Sequence, residues 1–411
     1  MIKLLENCQI YNFEGNLLQG NILISGENIL AVLRPNDAVP KNPDLTVNLE
    51  GRIVFPGLIN SHDHLYHSFW PPCGNAPYRN WFEWEKSFRS TSDYNLKQKL
   101  SVADLYALGM YRNVISGVSM VVDHFPKEIT ESFLTMPHVG FLEDFYLAHS
   151  VSSHALEWGK GIIEEFKNSR GILPFVIHVE EGFDPEIQTE LETLCRMGVL
   201  AENTVLVNGL GFSKTDVEMV ASKGSSVVWT PSSNAFLYQR DAPIASMLDA
   251  GVKLALGTDC TLVGSTNLLD EIRLAREFSA MHLGGRIKDL DLISMVTINA
   301  AKIFHIDKTY GSIQPGKKAD LLIFEDFKNN PLESFFALTP KDISLLVRKG
   351  VMVYGEDRFR SVCSLRFDQF SEVLVNRNPK LLWGKPLELL DRIEFKLGER
   401  RKFPFLPVSE V

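Results

Sequence analysis

Between residues 56 and 305, apolar runs of about five residues alternate with longer stretches of helical period. This alternation constrains the fold more than any other feature. Strand and helix in strict succession require a parallel sheet, because parallel strands must be joined by crossover connections. Strands are predicted near residues 53–60, 118–123, 138–144, 173–178, 204–208, 225–229 and 253–258. Residues 100–117 predict a helix ending at a glycine, and Ser213 with Asp216 three residues on has capping-box spacing. The span of 250 residues is close to the roughly 250 of a closed eight-stranded α/β barrel. The eighth strand has to fall between residues 145 and 172, yet residues 153–169 have the pattern of one helix. The barrel is therefore expected to be distorted at its fourth strand, which is short, irregular or absent.

The flanks follow a different grammar. Residues 21–25, a turn at 26–28 and residues 29–33 predict strand, turn and strand, and the pattern returns at 319–324 and 344–354. The expected organisation is α/β, with a barrel over residues 56–305 interrupting a split β-domain made of residues 1–55 and 306–365. Residues 366–411 show no domain-sized pattern and are expected to form an arm or cover, on the same chain or on a neighbour.

The 411 residues carry a formal charge of −9, a poor basis for holding a phosphate backbone, so nucleic acid is not an expected partner. No run of about 18 apolar residues occurs, so no membrane span is expected. Cys8, Cys73, Cys195, Cys260 and Cys363 are scattered without a CxxC pair, the pattern of free thiols in a reducing cytoplasm.

The histidines are unevenly placed. The first barrel strand runs into His62 and His64, two apart and on one side of an extended chain. The strand at 173–178 ends on His178, with Glu181 three residues later, and the last strand ends on Asp259. In this fold chemistry sits at the C-terminal ends of the strands. Three imidazoles and a carboxylate at that end make a borderline-soft divalent site suited to zinc or iron(II). Metal-bound water there has its pKa drawn from about 15.7 towards 7, so hydrolysis is the expected chemistry.

These residues belong to a wider pattern: VFPGLINSHDH at 54–64, HVEE at 178–181, PSSN at 231–234, GTD at 257–259 with Ser265 and Asn267 behind it, TINAA at 297–301 and IQPGKKADLL at 313–322. In this order, over residues 15–355, the chain resembles the amidohydrolase superfamily, within it the branch of metal-dependent deaminases and chlorohydrolases. The resemblance implies a (β/α)8 barrel with a small β-sandwich built from both chain ends, and one divalent ion, zinc or alternatively iron, held by His62, His64, His178 and Asp259. It also implies that Asp259 takes a proton from the attacking water and that Glu181 passes it to a ring nitrogen or leaving group. No candidate bridging lysine ends a strand before His178, which argues for one ion rather than two. The implied activity is hydrolysis of a C–N bond other than a peptide bond, with deamination of a nucleobase-, pterin- or triazine-like ring in first place. Amide or other small-leaving-group hydrolysis, or a catalytically weakened binding relative, are the alternatives.

One departure stands out. The branch usually has a His at the end of the strand at 204–208, where this chain has Asn208. An amide donates a hydrogen bond but carries no cation and relays no proton. Losing one such stabilising donor costs about 2.7–4 kcal/mol, so Asn208 takes over the role, a histidine from elsewhere reaches in, or activity is low. His67 and His124 are the nearest substitutes; His138, His149, His154, His282 and His305 are expected to be structural. The connection after the first strand holds Trp70, Trp81 and Trp84 among other aromatics, either a stacking wall for a small-molecule substrate or a packing surface. With the long tail, that surface suggests a homodimer.

Overall fold

A computed structural model describes residues 1–12, 15–39, 42–134, 139–363 and 369–411. Eight parallel barrel strands follow in chain order: β1 (Leu58–Asp63), β2 (Val118–Asp123), β3 (Gly140–Phe141), β4 (Tyr146–Ala148), β5 (Phe175–Val179), β6 (Thr204–Asn208), β7 (Ser226–Trp229) and β8 (Lys253–Leu256). Strands β1 to β3 pair with one another, and β4 to β8 form a second parallel ladder. The two arcs meet where Asp63 pairs with Asp259 and where the Thr258 and Asp259 N–H groups donate to the His62 carbonyl. Among the described residues no ladder joins β3 to β4, and β4, the fourth strand, is three residues long. His138, the first residue of the predicted third strand, lies outside the described residues.

Two local expectations are corrected. The predicted strand at 53–60 is two strands: Ile53–Pro56 belongs to the flanking sheet, and β1 begins after Gly57. A Cβ on Gly57 would lie 2.5 Å from the Ser119 hydroxyl, so only glycine lets the chain cross this close to β2. The predicted helix at 153–169 is confined to Ile162–Ser169. Gly159 and Gly161 adopt φ of 61° and 90°, which no continuous right-handed helix accommodates.

The chain ends combine in one eleven-stranded sheet. Its core draws Leu5, Ile22, Ile24 and Val54 from the first part and Leu321, Ile323, Leu345 and Val347 from the second. The tail continues this sheet instead of standing off as an arm. Phe370–Val375 and Asn378–Trp383 form a hairpin paired through Leu382 to Tyr354, and Val408–Ser409 closes on its outer strand. The helix Pro386–Leu397 buries Leu389, Ile393 and Leu397, a four-residue spacing that forms one face. Its Arg392 and Lys396 bind Asp104 in the capping box of the barrel helix Val102–Val114, tying the tail to the barrel of its own chain.

Inside the barrel, alternate residues point inward: Met120 and Val122 on β2, Val176 on β5, Val205 and Val207 on β6, Val228 on β7 and Ala255 on β8 share one apolar core. The period of two carries these columns upward to His124, His178, Thr230 and Asp259 at the C-terminal ends. Fold physics thus delivers polar groups to one mouth. No helix among the described residues is long and apolar enough to cross a membrane, and all five cysteines are free.

Candidate metal centre and pocket

The floor of the site is a buried ion pair. Asp63, between His62 and His64, turns away from the mouth, and its Oδ2 accepts from Arg112 Nη2 at 2.8 Å, Asn113 Nδ2 at 2.8 Å and Asn60 Nδ2 at 3.1 Å. Arg112 also donates to Thr258 Oγ1 at 2.5 Å. One arginine from the helix behind the barrel therefore fixes β1 to the segment after β8, and with them the two halves of the histidine and aspartate set.

Above this floor His62, His64 and His178 converge, with ring centroids 4.7–5.3 Å apart. His178 Nδ1 lies 3.0 Å from the His149 carbonyl. A carbonyl only accepts, so this nitrogen carries the proton and Nε2 keeps its lone pair. The His64 ring is held in the same way by the His124 carbonyl. His178 Nε2 sits 3.3 Å from His62 Nε2, about the 3.3–3.4 Å separation of two nitrogens bound to one tetrahedral zinc at 2.0–2.1 Å each. His64 Nε2 is 3.8 Å from Asp259 Oδ1. Burial lowers the pKa of His62 well below its usual value, that of His64 to about 4 and that of His178 to about 3. Neutral rings with free lone pairs are what a divalent cation requires. Ligand atoms within 4.8 Å of one another fall into two trios that share His62: His62, His64 and Asp259, and His62, His124 and His178. The donor set fits one divalent ion.

Glu180, Asn208 and Asp259 all have positive φ, 48°, 75° and 56°. Left-handed non-glycine residues are uncommon, and strain of this kind gathers at functional sites. The turn at Asn208 redirects its amide from the strand's outer face to the mouth. There Oδ1 accepts from the Thr230 hydroxyl at 2.5 Å, and the amide is hydrogen-bonded to Glu181. Tyr238 donates to Glu181 Oε1 at 3.3 Å. Shielding from bulk water, reinforced by the Asp259 carboxylate, pushes the Glu181 carboxyl well above its usual range. Burial likewise raises Asp259 to about 6, against the pull of Ser233 and Arg112.

A hollow of about 110 Å³ opens on this site. His64, His178, Glu181 and Asp259 form its reactive end, and His67, Trp81, Trp84, Phe125, His149 and Trp158 are among its walls. Among the described residues lining it there is no lysine or arginine. Trp84 is pinned by a 2.6 Å hydrogen bond to the Cys73 carbonyl, and the His149 ring lies edge-on between Trp81 and Trp158 at 4.6 and 4.7 Å.

Of the residues singled out from sequence, His62, His64, His178, Asp259, Glu181 and Asn208 come together, and His67, Trp81 and Trp84 line the hollow. Trp70 is not among its lining residues. His124 has no bond with Asp123, whose carboxylate is taken by Leu65 N, Tyr106 and Thr130; it sits in the imidazole cluster. His149 is more than structural packing, since it supplies both a wall and the carbonyl that orients His178. Sequence reasoning also missed Tyr238, Thr230 and Trp158. Thr230 could have been found by the inward period of β7, whereas Tyr238 lies 57 residues from Glu181 and carries no local signal.

A family model described as Amidohydrolase family matches residues 171–353. A 5-methylthioadenosine/S-adenosylhomocysteine deaminase of Pyrococcus furiosus is 26% identical over 424 aligned positions, which cover 89% of this chain and 98% of that protein. A 5′-deoxyadenosine deaminase of Methanothermobacter thermautotrophicus is 24% identical over 394 positions, covering 82% and 89%. Among solved structures, an adenosine deaminase from Xanthomonas campestris with bound zinc superposes with a TM-score of 0.71 at 17% identity, over 96% of this chain and 97% of that one. A zinc complex of atrazine chlorohydrolase from Arthrobacter aurescens gives 0.70 at 16% identity, over 96% and 100%. The barrel, the order of the motifs along it and the family model matched over residues 171–353 agree on one likeness: the chain is similar to the amidohydrolase family.

Proposed function

We propose that the protein is a metal-dependent hydrolase that deaminates a heterocyclic ring. The observation that carries this reading is the 3.3 Å approach of His178 Nε2 to His62 Nε2, with His178 oriented by the His149 carbonyl and the Glu181 carboxyl, raised well above its usual range by burial, on the same hollow as His178. His62, His64, His178 and Asp259 would hold the ion, and the nitrogen-rich set with one carboxylate favours zinc. Bound there, a divalent ion supplies Lewis acidity and lowers the pKa of a coordinated water towards about 7.

The remaining steps belong to the chain. Asp259, ionised near neutral pH, accepts the proton of the attacking water. Glu181 donates one to the ring nitrogen or departing amine, and Tyr238 and Asn208 hold its carboxyl in place. Trp81, Trp84 and Trp158 offer faces and edges on which a flat ring stacks. The lack of a basic wall disfavours anionic substrates. Both the deaminases among the relatives and the zinc in the neighbouring structures support the reading.

Ammonia release from a panel of amino-substituted purines, pterins and triazines tests it, using the zinc-loaded protein. At least one compound should yield ammonia, and Glu181→Gln should lose about 10²–10⁴-fold in rate while retaining its metal. No release from any compound by fully loaded protein would overturn deamination.

A further inference from the structure

Strand β4 is only three residues long, yet its end orients two imidazoles. His178 Nδ1 meets the His149 carbonyl at 3.0 Å, and His124 Nε2 meets the adjacent Ala148 carbonyl at 3.0 Å. The two rings stack with centroids 4.3 Å apart. In each ring the carbonyl takes the N–H and leaves the other nitrogen with a lone pair. For His124 that nitrogen is Nδ1, which is fully buried and has no hydrogen-bond partner. An orphaned acceptor in so dry a place needs a donor or a cation. Its column explains the aim: Met120 and Val122 point into the barrel, and His124 is the next inward position. Among the described residues, His178 joins a set of ligand atoms within 4.8 Å only with His62 and His124.

We infer that His124 is a ligand of the metal ion, entering from β2 beside His62 and His178. The inference rests on the metal site of the proposed function and adds a fourth imidazole to it. A site with four imidazoles and one carboxylate holds its ion through more nitrogens than the set read from the sequence.

Loading the full-length protein with Co²⁺ tests this without depending on a variant. Each coordinated imidazole keeps one exchangeable N–H, which the paramagnetic ion shifts far outside the ordinary proton range. Four such resonances are expected, and His124→Gln should remove one and weaken Co²⁺ retention against a competing chelator by about 100-fold or more, beyond what loss of an outer-shell contact usually does. Three resonances in the unaltered protein, unchanged in His124→Gln, would overturn the inference and leave the proposed function standing. No shifted resonance at all would overturn the metal reading itself, and this one with it.

Discussion

The Thr230 hydroxyl donates to Asn208 Oδ1 at 2.5 Å, and this bond decides what Asn208 can do. With its oxygen engaged, the amide presents only its NH₂ to the mouth, where Glu181 receives it. Such a donor favours the ionised carboxylate, so Asn208 moderates the upward shift of Glu181. Asn208→Ala should lower kcat/KM about 10- to 100-fold, the size of one lost hydrogen bond to a charged or protonated group. The alkaline limb of the profile should move to higher pH, because Glu181 then holds its proton longer. Kinetics across pH check both; an unmoved limb would contradict the contact.

Arg112 and Asp63 predict a stability effect separate from chemistry. Both are fully buried, and their 2.8 Å bond joins the back helix to β1. Removing one partner leaves an unpaired buried charge, at a cost of about 3–5 kcal/mol. Arg112→Met should show that loss in urea unfolding, whereas a change below about 1 kcal/mol would mean the pair does not hold the floor.

Glu271 gives the protein a pH dependence of one sign. Buried against Ser232, it has a pKa raised to about 7. A raised folded-state pKa means that the native state binds a proton which the unfolded chain releases near pH 4.5. The contribution to stability is full below that pH and is lost as pH rises through 7. Glu271→Gln keeps the shape and an oxygen to accept from Ser232 N, without the titration. At pH 8 it should be more stable than the unaltered protein by at most about 3 kcal/mol, with the gap closing towards pH 4.5. A constant gap across denaturation curves would contradict the assignment.

The imidazoles act in the opposite direction once the ion is chelated. His64 titrates at about 4 in the folded chain, against roughly 6.5 when unfolded. Its contribution is full above pH 6.5 and is lost as pH falls towards 4, about 2 kcal/mol at pH 5. His178 and His149, at about 3 and 2, add losses of similar size. Chelated protein should therefore unfold far more readily at pH 5 than at 7.5, with part of the difference abolished in His149→Asn. Equal urea midpoints at the two pH values would be inconsistent with neutral buried rings.

The parallel barrel and its short fourth strand were legible because period and length are local properties of the sequence. So were His62, His64, His178 and Asp259, which end strands where polar residues interrupt apolar runs. The break at Gly57 was not, since it depends on how closely Ser119 approaches from another strand. Nor was the end of the 153–169 pattern at Gly161, where two glycines with positive φ outweigh amphipathic spacing. Tyr238 and the His149 carbonyl serve the site through contacts distant in sequence or through backbone atoms, which residue types do not reveal. The tail looked patternless because its hairpin completes a sheet whose other strands lie far away along the chain.

The account depends on His62, His64, His178 and Asp259 holding a divalent ion, and metal analysis of the purified protein tests that most directly. It predicts about one zinc or iron per chain in the unaltered protein and almost none in His62→Ala, whose residue is shared by both ligand trios. Protein that folds normally yet carries no more than traces of any divalent metal, even after incubation with zinc, would contradict it.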